Sequence, residues 1–163
     1  MLKQLICATI LGITASTAAA SPETAENWGV QASDIYSTVE ELLSEQSPAS
    51  VSILSADFED KMIRFASTAS HLAIWTDETQ SSPDLGCIYR GMAEEAELQL
   101  LALESAASSA DVKAALKRIA NMTDDAQAIA VASAHAGRTG EQAAPSGQCL
   151  GNHQLVDHAL GLN

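Results

Sequence analysis

The sequence predicts an all-α protein: an up-and-down antiparallel four-helix bundle with an irregular C-terminal tail tied by one disulfide. Three observations carry this prediction. Apolar residues recur at intervals of three and four through most of residues 21–137, the spacing that lines one face of an α-helix. Ala, Leu, Glu and Gln are abundant, whereas alternating β-branched runs and hairpin dipeptides are missing. The polar breaks between the periodic stretches are short, which favours antiparallel neighbours.

Residues 1–20 read as a cleaved signal peptide. Lys3 supplies the positive start, Leu5 to Ile13 is a short apolar run, and Ala18-Ala19-Ala20 ends in the small-x-small pattern of a cleavage site. The apolar run is far shorter than the roughly 20 residues a membrane span needs. Cys7 follows Ile6 rather than a small residue, so lipidation is not expected. Cleavage after Ala20 leaves a chain of single-domain size, divided into a bundle over 21–137 and a tail over 138–163.

Within the bundle, Trp28, Ala32, Ile35, Val39 and Leu42 mark the first helix, from about Ser21 to Gln46, with Ser21-Pro22 as its start. Ser47-Pro48 repeats that start signal. The second stripe runs Val51, Leu54, Phe58, Met62, Phe65, Ala69 and Leu72, widened by Ile53, Ile63, Ile74 and Trp75, so this helix is expected to be the most enclosed. Residues 77–82 read as a loop. The third stripe is Leu85, Ile88, Met92, Ala96, Leu100 and Leu103, with Glu94, Glu95 and Glu97 on the wet side. Ser109 precedes the fourth, Val112, Leu116, Ile119, Met122, Ala126, Ile129 and Ser133, and Gly137 reads as its stop. Helices of about 24–28 residues would each span roughly 36–42 Å. In the tail, Gly140, Pro145, Gly147 and Gly151 interrupt any period, and only Leu155, Val156, Ala159 and Leu160 point to a short terminal helix.

Eight Lys and Arg face twenty-one Asp and Glu, a formal charge of −13, and loss of Lys3 makes the mature chain one unit more negative. Such a field repels phosphate backbones and anionic lipid, so neither nucleic-acid binding nor membrane insertion after signal cleavage is expected; a basic protein or a cationic ligand is the partner class it suits. The paired acids Glu40-Glu41, Glu59-Asp60, Glu94-Glu95 and Asp124-Asp125 point about 100° apart on a helix and read as a solvated face.

Cys87 and Cys149 are the two cysteines left after cleavage. In an oxidising compartment they make one disulfide most simply. It closes a loop of about 60 residues, worth roughly 4 kcal/mol in the chain-entropy model, and ties the weakly structured tail to the start of the third helix. Gly86 and Gly91 weaken that start by up to about 1 kcal/mol each relative to Ala, and Gly86 or Gly91 would let another element approach closely. Arg90 stands among them, so Gly86, Arg90 and Gly91 form the candidate recognition patch, with an ion pair of Arg90 as the competing structural role. Arg64, on the second helix, is likewise expected to pair with a carboxylate.

Four histidines are candidate metal ligands. His71 lies near the second apolar stripe and His135 in the last turn of the fourth helix, where the helix dipole favours its charged form. His153 and His158 lie in the tail, five residues apart, a poor spacing for one helical face. Covalent haem needs Cys-x-x-Cys-His, which the chain lacks; a non-covalent bundle haem would pair His135 with a methionine near the mature N-terminus, where none stands. Met62, Met92 and Met122 all sit on core stripes. Glu-x-x-His, Gly-x-Ser-x-Gly and glycine-rich phosphate loops do not occur. No cofactor is therefore expected. The reading is an exported acidic helical-bundle protein, periplasmic or secreted, acting as a non-enzymatic interaction or binding module. The alternative is a periplasmic metal- or haem-binding bundle protein that uses the histidines.

Overall fold

The computed structural model describes residues 22–44, 55–79 and 83–139. Four helices make up this part: α1 (Pro22–Ser44), α2 (Ala56–Thr79), α3 (Pro83–Glu104) and α4 (Ser109–Thr139). No strand is present among the described residues, and none of these helices is long and apolar enough to cross a membrane.

The helix starts follow local chemistry. Pro22 opens α1, where its missing N–H costs nothing. Ser55 caps α2, its Oγ accepting from the Phe58 N–H at 3.1 Å and its carbonyl accepting from Glu59. At α4 the cap is Ser108: its Oγ accepts from the Asp111 N–H at 3.2 Å and donates to the Asp111 carboxylate at 2.7 Å. That reciprocal pair satisfies an orphan donor of the first turn. The expected start at Ser47-Pro48 lies outside the described residues.

α1 packs chiefly on α4 and α2 chiefly on α3, while lighter α1–α2 and α3–α4 contacts close the ring. Polarity alternates around it. Glu26, near the start of α1, meets Arg138 near the end of α4, and Asp77 at the end of α2 meets Arg90 near the start of α3. Asp34 of α1 joins Lys61 of α2, and Glu95 of α3 joins Arg118 of α4. This is the all-helical bundle the apolar spacing predicts.

At its centre Trp28 is fully enclosed. Its ring stacks on Phe65 of α2 (centroids 5.0 Å apart, 18° between planes) and meets Tyr89 of α3 edge-on at 5.2 Å and 76°. Each such pair adds about 0.5–1.5 kcal/mol beyond area burial. The indole N–H donates to the Phe65 carbonyl at 3.2 Å. Ile35, Val39, Phe58, Met62, Leu72, Leu116 and Ile119 complete the core with a run of small residues on α4.

Several elements differ from expectation. Ile63 and Ile74 are exposed rather than widening a buried stripe, so α2 is not uniformly enclosed. On α3 the buried position is Tyr89, and Ile88 turns outward. Residues 77–79 are helical, not loop. Gly137 does not stop α4, which continues to Thr139; a Cβ there would stand 2.8 Å from Pro22 Cγ, so this glycine lets the end of α4 pass the start of α1.

Two glycines give opposite expectations for the same substitution. A Cβ on Gly29 would lie 2.7 Å from Ala130 Cβ, a contact neither short side chain can relieve. Gly29→Ala should therefore destabilise by ~1–3 kcal/mol despite the better helix former. At Gly91 a Cβ meets nothing within 4 Å, so Gly91→Ala should stabilise by roughly 0.8–1 kcal/mol. Urea unfolding of both variants checks the pair; equal effects would show that α1 and α4 do not approach as described.

Candidate functional site

At the start of α3, Gly86 is buried against the last turns of α2. A Cβ at this position would come within 2.9 Å of both Thr76 Oγ1 and Asp77 Oδ1. The missing side chain thus lets α2 close down, and it brings the Asp77 carboxylate to Arg90, whose Nη1 donates to Oδ2 at 2.7 Å. Gly86 and Arg90 share this junction; Gly91 points into open space on a different face. Both ionic groups are about half exposed, so the pair contributes at most about 1 kcal/mol. Arg90 and Cys87 each make a further interaction. Cys149 lies outside the described residues, as do His153 and His158. Arg64 is exposed and makes no ion pair among the described residues.

The structure does not bring the described histidines together. His71 is exposed on α2 and His135 is exposed on α4, and these helices stand diagonally across the ring. No cluster of three or more His, Cys, Asp or Glu that would hold a metal ion exists among the described residues.

Deeper in the bundle, Tyr89 Oη and Ser133 Oγ are both enclosed without a partner in full hydrogen-bond geometry. Burial pushes the Tyr89 phenol above its ordinary value, and the nearby Ser133 hydroxyl offsets part of that shift. Elsewhere, hydrogen bonds to Asp34 and then Asp57, at 3.1 and 3.2 Å, raise Lys61 above the ordinary lysine value.

A groove of about 480 Å³ lies on the outer side of the α1–α4 pair. Gly29 and Ala130 line it, and a Cβ on Gly29 would stand 2.7 Å from Ala130 Cβ. Its walls are Val30 of α1 and Val131 of α4, which are 68% and 72% exposed, the highest values among the exposed large apolar side chains described. Ser33 and Gln127 lie further down; Glu26, Arg138 and His135 stand at the upper mouth. There the Arg138 guanidinium sits 2.6 Å from Glu26, which raises Arg138 above its ordinary value, with Glu23 adding to the effect. Of the groove residues, sequence reading singled out only His135. The available signal was that Val30 and Val131 fall off their helices' core stripes.

Chemically, the groove offers apolar contact flanked by hydrogen-bonding side chains, and its one cation is already paired. It contains no nucleophile placed against a base. Comparison with protein families, curated proteins and solved structures finds no match.

The enclosed phenol has a consequence for alkaline stability. Below pH ~10 Tyr89 keeps its proton in both folded and unfolded chains; above it the unfolded chain ionises first, binds fewer protons, and stability falls as pH rises. Tyr89→Phe should move the midpoint of alkaline unfolding, followed by circular dichroism, to higher pH. At neutral pH it should change stability by less than ~1 kcal/mol, because the hydroxyl makes no full bond. An unchanged alkaline midpoint would assign the transition to another group.

Proposed function

We propose that this chain is an exported, periplasmic or secreted, non-enzymatic module that binds a basic protein partner. The observation that carries the reading is the α1–α4 groove, whose Val30 and Val131 walls stand in water on a molecule with a large excess of acid. Exposed apolar walls grouped around one depression mark a contact surface better than the same residues scattered singly. The acid excess then selects among partners, because long-range attraction favours basic ones and disfavours acidic ones.

Export is part of the same reading. The leader pattern over residues 1–20 supports it, as does the pair Cys87 and Cys149 left after cleavage. The proposed Cys87–Cys149 bridge would hold residues 138–163 against the bundle end where α3 begins. An oxidising compartment is where such a bridge persists.

A native mass spectrum of the protein from its producing host tests the reading. The expected species is residues 21–163 less two hydrogens, without a stoichiometric small-molecule adduct. An uncut leader would overturn export, and two titratable thiols in the unfolded, unreduced chain would overturn the bridge. Turnover of any substrate that disappears with a single substitution would overturn the non-enzymatic assignment.

A further inference from the structure

We infer that residues 150–163 dock along the outer seam of α2 and α3, over Ile63, Ile74, Leu98 and Leu101. The inference rests on the proposed Cys87–Cys149 bridge and adds the face that the tethered segment covers. Among the described residues these four are each 51–59% exposed, and together they outnumber the two valines of the α1–α4 groove.

Two rows make the seam. On α2, Ile63, Ser70, Ile74 and Asp77 follow one another at intervals of seven, four and three; on α3, Cys87, Glu94, Leu98 and Leu101 do the same. Each set therefore lies on one strip of its helix. The Asp77–Arg90 ion pair fixes where the strips face: Asp77 belongs to the first, and Arg90, one turn from Cys87 and from Glu94, borders the second. Lys61 and Thr68, which reach α1, and Glu95, which reaches α4, leave from the other flanks. Height follows from Gly86, where a Cβ would crowd both Thr76 and Asp77. Counting back along α2 and forward along α3 sets Ile74 level with residues 88 and 89, and Ile63 between Leu98 and Leu101.

Cys87 heads the α3 row, so a chain tethered to its sulfur starts at the top of the seam. α4 ends at Thr139 near the start of α3, since Ser133 lies beside Tyr89. The ten residues from Gly140 to Cys149 span up to about 33 Å, enough to cross the bundle end. Past the tether, residues 150–163 include Leu150, Leu155, Val156, Ala159, Leu160 and Leu162. As a helix at ~1.5 Å per residue they reach about 21 Å, the distance from Cys87 to Leu101.

Charge favours this occupant over a second copy. Glu94 and Glu97 stand on or beside the α3 row, and a second copy would bring a charge of −13 against them; like charges across an interface are costly. Residues 150–163 carry a single acidic side chain, Asp157, with His153 and His158 nearby. They can cover the apolar rows with little repulsion. The α1–α4 groove, across the ring, stays open to a partner.

The test is methyl nuclear Overhauser spectroscopy with amide hydrogen exchange on the isotopically labelled, oxidised mature chain. Contacts are expected from Leu155, Val156 or Leu160 to Ile63, Ile74, Leu98 or Leu101. Amides 153–160 should exchange at least ~tenfold more slowly than in an unstructured chain. Leu155→Asp with Leu160→Asp should remove both signals and leave the Trp28–Phe65 contacts in place, which separates loss of docking from loss of fold. Ile63→Glu with Leu101→Glu should do the same from the other side. Contacts of the segment with Val30 and Val131 instead would overturn the seam as its site. No contact and no protection in a chain whose bridge is intact would overturn the docking and leave the bridge standing. Two titratable thiols in a chain that keeps the contacts would overturn the bridge and leave the docking standing. Self-association in sedimentation that Ile63→Glu with Leu101→Glu abolishes would make a second copy the occupant and overturn the proposal.

Discussion

The bundle turns on one buried donor. An indole enclosed between helices must hydrogen-bond somewhere, since an unmatched N–H in this setting costs about 1–3 kcal/mol. Trp28 meets the need by donating to the Phe65 carbonyl, an atom fixed within α2. A side chain bonded to the backbone of the next helix holds axial register more tightly than apolar contact alone. With Trp28 placed, Phe65 stacks on one face of the indole and Tyr89 reaches it from across the core. Three of the four helices are thereby locked at one level, from only six aromatic residues in the chain.

The fourth helix is held differently. α4 brings no aromatic ring to the core; it brings Ala115, Ala120, Ala126, Ala130 and Ala134, all buried. Small residues permit a short interhelical distance, and Gly29 extends that permission on the α1 side. Close approach has a geometric consequence: the side chains flanking the contact line cannot also be buried there, so Val30 and Val131 are forced outward. The groove is in this sense a product of how α1 and α4 pack. The small residues that tighten the interface also create the depression beside it.

Much of this was legible in the sequence, and the failures have physical causes. The stripe Trp28, Ala32, Ile35, Val39 predicts the buried face of α1 because its large apolar residues fall on one narrow arc. On α3 the apolar residues at 85, 88, 89, 92, 93 and 96 cover a wide arc, and spacing cannot choose between Ile88 and Tyr89. The choice is made by the space beside Trp28, which takes a ring. Ile63 and Ile74 mislead for the related reason that α2 has more apolar residues than neighbours to cover them. Gly137 reads as a stop because glycine commonly ends helices, but Pro22 of a distant segment requires it. Gly86 was legible as a point of close approach, though not the identity of what approaches, Thr76 and Asp77. Val30 and Val131 were legible as apolar residues off their core stripes, but their meeting in one groove was not, since it depends on pairing residues about a hundred positions apart.

Acidity that serves solubility alone need not be arranged, yet part of it here is. Four of the seven described cations are engaged in specific pairs: Lys61 with Asp34 and Asp57, Arg90 with Asp77, Arg118 with Glu95, Arg138 with Glu26. One such pair spans each of the four neighbouring contacts of the ring, α1–α2, α2–α3, α3–α4 and α1–α4. Partly exposed pairs of this kind contribute about 0–1 kcal/mol each, too little to hold a bundle together. Their distribution does something else: with twenty-one acids against eight bases, a helix placed beside the wrong neighbour would set carboxylate against carboxylate. The core supplies the stability, and the few cations help to choose the neighbours.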